Sequence, residues 1–194
     1  MKNIYLCIAL SLAFSCNQAK EVKEVKAETE TEKIQEAIDP NYNPEANLKK
    51  MGIELSTPSA PVANYVNAVR TGNLIFLAGK GPRKADGENI TGKLGADLSI
   101  EQGYEAARIT GINQLSVLKA ELGNLNKVKR IVKVKGMVNC TPDFKDQPKV
   151  VNGYSDLMVA VFGDKGKHAR AAVGMGSLPS NIAIEVEMIV EVQD

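Results

Sequence analysis

The sequence predicts an α/β (α+β) domain of element order β-β-α-β-α-β-β, with two helices packed on one face of a mixed sheet. Two observations lead there. The last strand-like run puts Ile182, Ile184, Val186, Met188, Val190 and Val192 on one side, with Ala183, Glu185, Glu187, Ile189 and Glu191 on the other, the period-two pattern of a half-buried strand. Two other segments carry apolar residues at three- and four-residue steps between start and stop signals. Helices on one face leave the other face of the sheet open, and an oligomer would cover it.

In chain order, residues 62–70 and 73–78 are extended runs separated by Thr71-Gly72, which suits a tight hairpin. Gly79-Lys80-Gly81-Pro82 then opens a polar loop reaching Asp97; its glycines lack the Walker spacing and form no phosphate loop. Ser99 with Gln102 makes a capping box, and Ile109, Ile112, Leu115, Leu118 and Leu122 continue a helix that Gly123 stops. Over 128–140, Val132, Val134 and Val138 alternate with Lys133, Lys135 and Met137, so a strand is expected with one apolar and one basic face. Pro148 suits the first turn of a second helix, which carries Val150, Tyr154, Leu157 and Val161 and closes at Gly163. Residues 169–175 and 182–192 read as strands joined by a loop containing Leu178-Pro179.

The 194 residues suffice for one domain and a short appendage. With 24 Lys+Arg against 23 Asp+Glu, the net charge of +1 sets up no global field that would draw in nucleic acid or an anionic surface. The first 15 residues read as a signal peptide, too short an apolar run to span a bilayer. Leu12-Ala13-Phe14-Ser15-Cys16 looks like a bacterial lipobox, with its leucine one place further from the cysteine than usual. Cys16 is then the lipid attachment site and the protein an exported, membrane-anchored lipoprotein; a plainly secreted protein is the alternative. Residues 16–44, rich in Lys and Glu, read as a solvated tether in which Asp39-Pro40 and Asn43-Pro44 are breakers, and 45–194 as the domain. Cys140 is left without an intramolecular partner and reads as a small buried hydrophobe.

Chemistry concentrates near the C-terminus. Glu185 and Glu187 share a strand side, and Arg170 on the preceding strand is expected to meet a carboxylate across the hairpin. Taken alone, such a pair is an ordinary surface salt bridge. Lys127, Lys129, Lys133 and Lys135 form a basic strand face without an aromatic platform, which reads as solvated rather than RNA-binding. His168, the single histidine, makes no metal site by itself and reads as strand-edge polar structure. Lys80 reads as solvated.

The order Ala169-Arg170-Ala171-Ala172-Val173, Leu178-Pro179 and Ile184-Glu185-Val186-Glu187 resembles the C-terminal signature of the RidA (YjgF-like) family. Asn64-Tyr65-Val66-Asn67, the run from Gly72 to Gly79, and Val151-Asn152-Gly153-Tyr154 extend the resemblance over about 60–193. It implies a chorismate-mutase-like fold and a homotrimer with clefts between subunits, needing no metal or cofactor. In such a cleft Arg170 would grip the carboxylate of a small 2-imino or enamine acid, and Glu185 would orient the attacking water. Tyr65 from the neighbouring subunit, Asn152, Ala78, Gly79 and the backbone around Ala172 would bind substrate. Ala172, Ala78 and Asn64 stand where many relatives have cysteine, serine or threonine, and proline. These changes remove thiol and hydroxyl contacts and leave the arginine and glutamate in place. The resemblance implies an imine deaminase; a non-catalytic binder of small carboxylates is the second reading and an endoribonuclease the third.

Overall fold

The computed structural model describes residues 42–193. The expected signal peptide, Cys16 and nearly all of the tether lie outside the described residues. The strands are β1 (Ala68–Thr71), β2 (Leu74–Lys80), β3 (Val128–Asn139), β4 (Ala169–Met175) and β5 (Ile184–Val192), and the helices α1 (Pro44–Lys50), α2 (Ile100–Leu122) and α3 (Gln147–Phe162). The five strands form one sheet in the order β1-β2-β5-β3-β4. All neighbours are antiparallel except β3 and β4, between which α3 forms the crossover that a parallel pair requires. The mixed sheet with α2 and α3 on one face is the architecture the sequence predicts.

Local chemistry sets the helix limits. Ser99 Oγ accepts from the Gln102 backbone N–H at 3.2 Å, and Gln102 Oε1 accepts from Ser99 N–H at 2.8 Å, so α2 starts with both donors satisfied. It ends at Gly123, whose φ of 73° is the left-handed conformation that glycine adopts without a Cβ penalty. The buried stripe of α2 differs from the expected one. Ala106, Ala107, Thr110, Gln114, Leu115 and Leu118 are inside, whereas Ile109 and Ile112 are only partly covered. Close approach to α3 explains the shift: a Cβ on Gly153 would strike the Tyr104 carbonyl, so small residues must face the contact and the isoleucines turn outward.

The strand order corrects one expectation. β4 and β5 are not a hairpin, because β3 lies between them and pairs with both. The Leu178-Pro179 loop therefore carries the chain past the end of β3. Fully buried Asn139 at that end donates to Asn181 Oδ1 at 2.9 Å and to the Ile182 carbonyl at 3.2 Å, which pins the crossing. β3 also breaks its alternation. Ile131 pairs with Val190 and Lys133 with Ile189, so Val132 is an extra residue in a bulge, and Ile131 takes the buried place expected of Val132. The first strand is shorter than expected, since residues 62–67 stay outside the ladder.

Asn43-Pro44 proves to be a helix start rather than a breaker. Asn43 Oδ1 accepts from Ala46 N–H at 2.9 Å and Pro44 occupies the first turn of α1, where its missing N–H costs nothing. α1 is fastened to the domain by several contacts. Leu48 is buried, Asn47 donates to the Val161 carbonyl at 2.9 Å, Glu45 pairs with Lys119 at 3.0 Å, and the Tyr42 hydroxyl donates to the Val128 carbonyl at 2.9 Å.

β2 and β5 fall out of register between Leu77 and Lys80, which strands carbonyls in the interior. Gln114, fully buried on α2, donates its amide to the Ala78 carbonyl at 3.1 Å and the Val186 carbonyl at 2.7 Å. Replacing it by leucine should cost about 1–3 kcal/mol for each carbonyl left without this donor. The expected result is a lower urea midpoint at unchanged slope; a midpoint equal to wild type would contradict the bracing role.

Candidate functional site

The first cluster sits at the β4 edge. Asn152 and Ser155 lie three residues apart on one face of α3, and His168 just ahead of β4 lies two residues before Arg170 on it. Arg170 Nη1 donates to Asn152 Oδ1 at 2.8 Å and to Ser155 Oγ at 3.1 Å. Ser155 Oγ is in turn 3.1 Å from His168 Nε2, and His168 Nδ1 is 2.7 Å from the Gly166 carbonyl oxygen. Among the described residues no carboxylate pairs with Arg170, and the residue is exposed. Its guanidinium is held by neutral oxygens with its full charge still available. Ala172, half-buried, faces the helices two residues further along β4.

The second cluster sits where β2 and β5 slip past each other. Gly79 has no side chain because Glu185 occupies that volume: a Cβ there would collide with Glu185 Oε1. Glu185 thus lies against the β2 backbone beside Ala78, on the open face of the sheet. Burial pushes its carboxyl above the ordinary glutamate range, the neighbouring charge of Glu187 adds to this, and Lys135 opposes it. Tyr65, exposed ahead of β1, lines with Gly79, Lys80 and Ile182 an open groove of about 920 Å³. Lys80, whose ammonium burial holds below its usual range, donates to Asn67 Oδ1 at 2.6 Å and is less solvated than expected.

Arg170 and Glu185 do not meet within one protomer, contrary to the cross-hairpin expectation. Arg170 is level with Val134 and Met188, and Glu185 with Met137 and Val173. That register separates their backbones by roughly 10 Å across two strand spacings and about 10 Å along the strands. Their faces differ too, because Arg170 shares the helix-covered side of Val134 while Glu185 points to the open side. Arg170, Asn152 and Ala172 therefore form one group and Glu185, Gly79 and Ala78 another, while Tyr65 shares the groove with Gly79. Ser155 was not anticipated, although its three-residue spacing from Asn152 on an expected helix was a usable signal. Cys140 is buried and free, as expected.

The open face of the sheet carries exposed Val69, Phe76 and Val173 and a small cluster of Met137, Leu178 and Ile182. Of the basic face expected on β3, two lysines are paired with glutamates, and Lys133 has no carboxylate partner among the described residues. Lys129 pairs with Glu191 at 3.1 Å, Lys135 with Glu187 at 3.5 Å, and Lys127 donates to the Leu122 carbonyl. Among the described residues no group of three His, Cys, Asp or Glu side chains could hold a metal ion.

Comparison with known proteins places this arrangement. The profile of the family described as "YjgF/chorismate mutase-like, putative endoribonuclease" matches residues 45–192. The chain belongs to the YjgF/RidA family. Among similar proteins, Protein TCP17 of Trypanosoma cruzi is 43% identical over 150 residues, covering 77% of this chain and 94% of that protein. The 2-iminobutanoate/2-iminopropanoate deaminase of Dermatophagoides farinae is 29% identical over 142 residues, covering 72% of this chain and 95% of the relative. Of solved structures, Atu1372 of Agrobacterium tumefaciens superposes with a TM-score of 0.73 at 39% identity, over 77% of this chain and 92% of that one. The YjgF/RidA fold is thus shared over nearly all the described residues.

The surroundings of Glu185 make its titration predictable in sign. Followed by side-chain carbon NMR, its midpoint should lie above that of an ordinary glutamate, about 4.3. Glu187→Gln, which removes a like charge, should lower it, and Lys135→Met should raise it. A Glu185 midpoint at or below the ordinary value would contradict the arrangement.

Proposed function

We propose that this YjgF/RidA chain is a 2-imino/enamine acid deaminase whose site forms in a cleft between the subunits of a homotrimer. The observation that carries the reading is Arg170: a guanidinium held by Asn152 and Ser155 with no carboxylate partner among the described residues. Such a planar cationic fork suits a ligand carboxylate. The two groups, read as half-sites, support the assembly. Each is incomplete on its protomer, and the open face with Val69, Phe76 and Val173 offers apolar surface for a second copy to cover, worth on the order of 1.5–3 kcal/mol per large side chain.

In this reading Arg170 anchors the carboxylate of the imine and Glu185, ionised, accepts a hydrogen bond from a water. The water adds to the imine carbon as Glu185 passes its first proton to the nitrogen, giving a carbinolamine; the remaining hydroxyl proton then follows through Glu185 to the nitrogen as the carbonyl forms and the carbon–nitrogen bond breaks. A 2-keto acid and ammonia leave. The raised carboxyl of Glu185 suits this duty, because a stronger base takes the water proton more readily. The name of the mite relative agrees with the chemistry. A non-catalytic small-carboxylate binder is the second reading, favoured by Ala78 and Ala172, which offer neither hydroxyl nor thiol to a substrate. Endoribonuclease activity, part of the family description, finds less support, since Lys129 and Lys135 on β3 are paired with glutamates and no aromatic platform stands beside them in the sequence. The lipobox-like run ending at Cys16 supports an exported, membrane-anchored protein.

Purified protein should accelerate ammonia release from freshly generated 2-iminopropanoate. Glu185→Gln should lower kcat by about 10²–10⁴, the usual worth of a positioned proton-transfer group, and Arg170→Ala should abolish saturation. Light scattering should give the mass of three chains. Absence of acceleration, with pyruvate still raising the Tm, would replace the deaminase by the binder, and a monomer at micromolar concentration would end both. Labelled palmitate should enter the expressed chain and not its Cys16→Ala variant; equal labelling would remove the anchor.

A further inference from the structure

Resting on the reading of Arg170 as the carboxylate anchor, we propose that Gly166, His168 and Ser155 form a one-directional hydrogen-bond relay. It fixes the Arg170 guanidinium so that its Nε/Nη2 edge, and no other, faces the substrate. Ser155 and His168 are on this view positioning residues that lie outside the reacting atoms.

The direction of the relay follows from what each atom can do. The Gly166 carbonyl oxygen can only accept, so His168 Nδ1, 2.7 Å away, must carry the proton. Burial holds His168 below its usual range against the opposing effect of its bond to Gly166, and the adjacent Arg170 charge acts with burial; the neutral ring, its one proton on Nδ1, leaves Nε2 only a lone pair. That lone pair takes the Ser155 hydroxyl proton across 3.1 Å. Ser155 Oγ is left with lone pairs only and accepts from Arg170 Nη1 at 3.1 Å, while Asn152 Oδ1 accepts from the same nitrogen at 2.8 Å. Both hydrogens on Nη1 are thereby committed. A guanidinium has five N–H donors, and those remaining are Nε–H and the two on Nη2. Nε–H and one Nη2–H lie parallel along one edge, the geometry for a bidentate carboxylate. Rotating the group to present its Nη1 end would break two hydrogen bonds.

The anchor of the relay is also built in. A Cβ on Gly166 would collide with the Met158 carbonyl, so only glycine lets this short turn close against α3 and aim its carbonyl at the ring. The carbonyl, the ring, the hydroxyl and the guanidinium then come from three consecutive parts of the chain: α3, the turn that follows it and the start of β4 with the residue just ahead of it.

The test uses the full chain, pyruvate binding by calorimetry and turnover of freshly generated 2-iminopropanoate. Ser155→Ala should weaken pyruvate about tenfold, the size of one hydrogen bond to a charged group, and should raise KM more than it lowers kcat. The two histidine variants separate positioning from packing. His168→Gln can place a carbonyl oxygen near the Nε2 position and keep Ser155 oriented, so its affinity should stay near wild type. His168→Asn can keep the Gly166 contact but has no acceptor within reach of Ser155, and should behave like Ser155→Ala. Equal losses in the Gln and Asn variants, or wild-type affinity in both Asn and Ser155→Ala, would overturn the relay while Arg170→Ala still abolishes binding. Pyruvate affinity retained by Arg170→Ala would instead overturn the anchor reading, and the relay with it.

Discussion

A single amide holds the sheet together where it is most irregular. The slip between β2 and β5 leaves the Ala78 and Val186 carbonyls facing the interior, and Gln114 reaches from α2 to donate to both. A buried carbonyl without a donor is costly, so the slip persists only because α2 is seated with this residue inward. The slip in turn brings Gly79 under Glu185. The position and raised carboxyl of the glutamate therefore trace back to a buried helix residue on the opposite face of the sheet.

The two clusters occupy different regions of the sheet for a topological reason. β3 is the longest strand, and pairing with β5 on one side and β4 on the other satisfies both of its hydrogen-bonding edges. That choice pushes β4 to the rim, where Arg170 can be held by α3 and still reach outward. It leaves Glu185 on the inner strand β5, facing the side without helices. A chemistry that needs both groups must then recruit them from two copies of the chain, and the same separation keeps the arginine from being neutralised by its own glutamate.

Much of the fold was legible because its signals are local. The Ser99–Gln102 box, the Gly123 stop, Pro148 and the alternation of β5 each involve residues within a few positions of one another. The misreadings involve partners far away. Strand order is a choice among pairings separated by tens of residues, and consecutive strands joined by a short loop look like a hairpin until the claim of β3 on both is known. The bulge at Val132 arises from the register of β5, so counting along β3 alone gave the wrong buried residue. Ile109 and Ile112 lost their inward places to Ala106 and Ala107 because α3 comes too close for larger side chains. Asn43-Pro44 carries the same letters as a chain break and a helix start, and only burial of Leu48 decides between them. The facing of Glu185 was readable from period two; that of Arg170 was not, since the assumed hairpin supplied the wrong neighbour.

The fastening of α1 has a mechanical meaning. Tension applied to the chain ahead of Tyr42 would be taken up first by the Tyr42–Val128, Glu45–Lys119 and Asn47–Val161 contacts. These grip the opening of β3, the last turns of α2 and the end of α3, so a load is shared among the three longest elements. None of the grips bears on β4 or on the slip between β2 and β5. A pull from that end would be spent in the frame of the domain before it could disturb β4 or the slip beside Glu185.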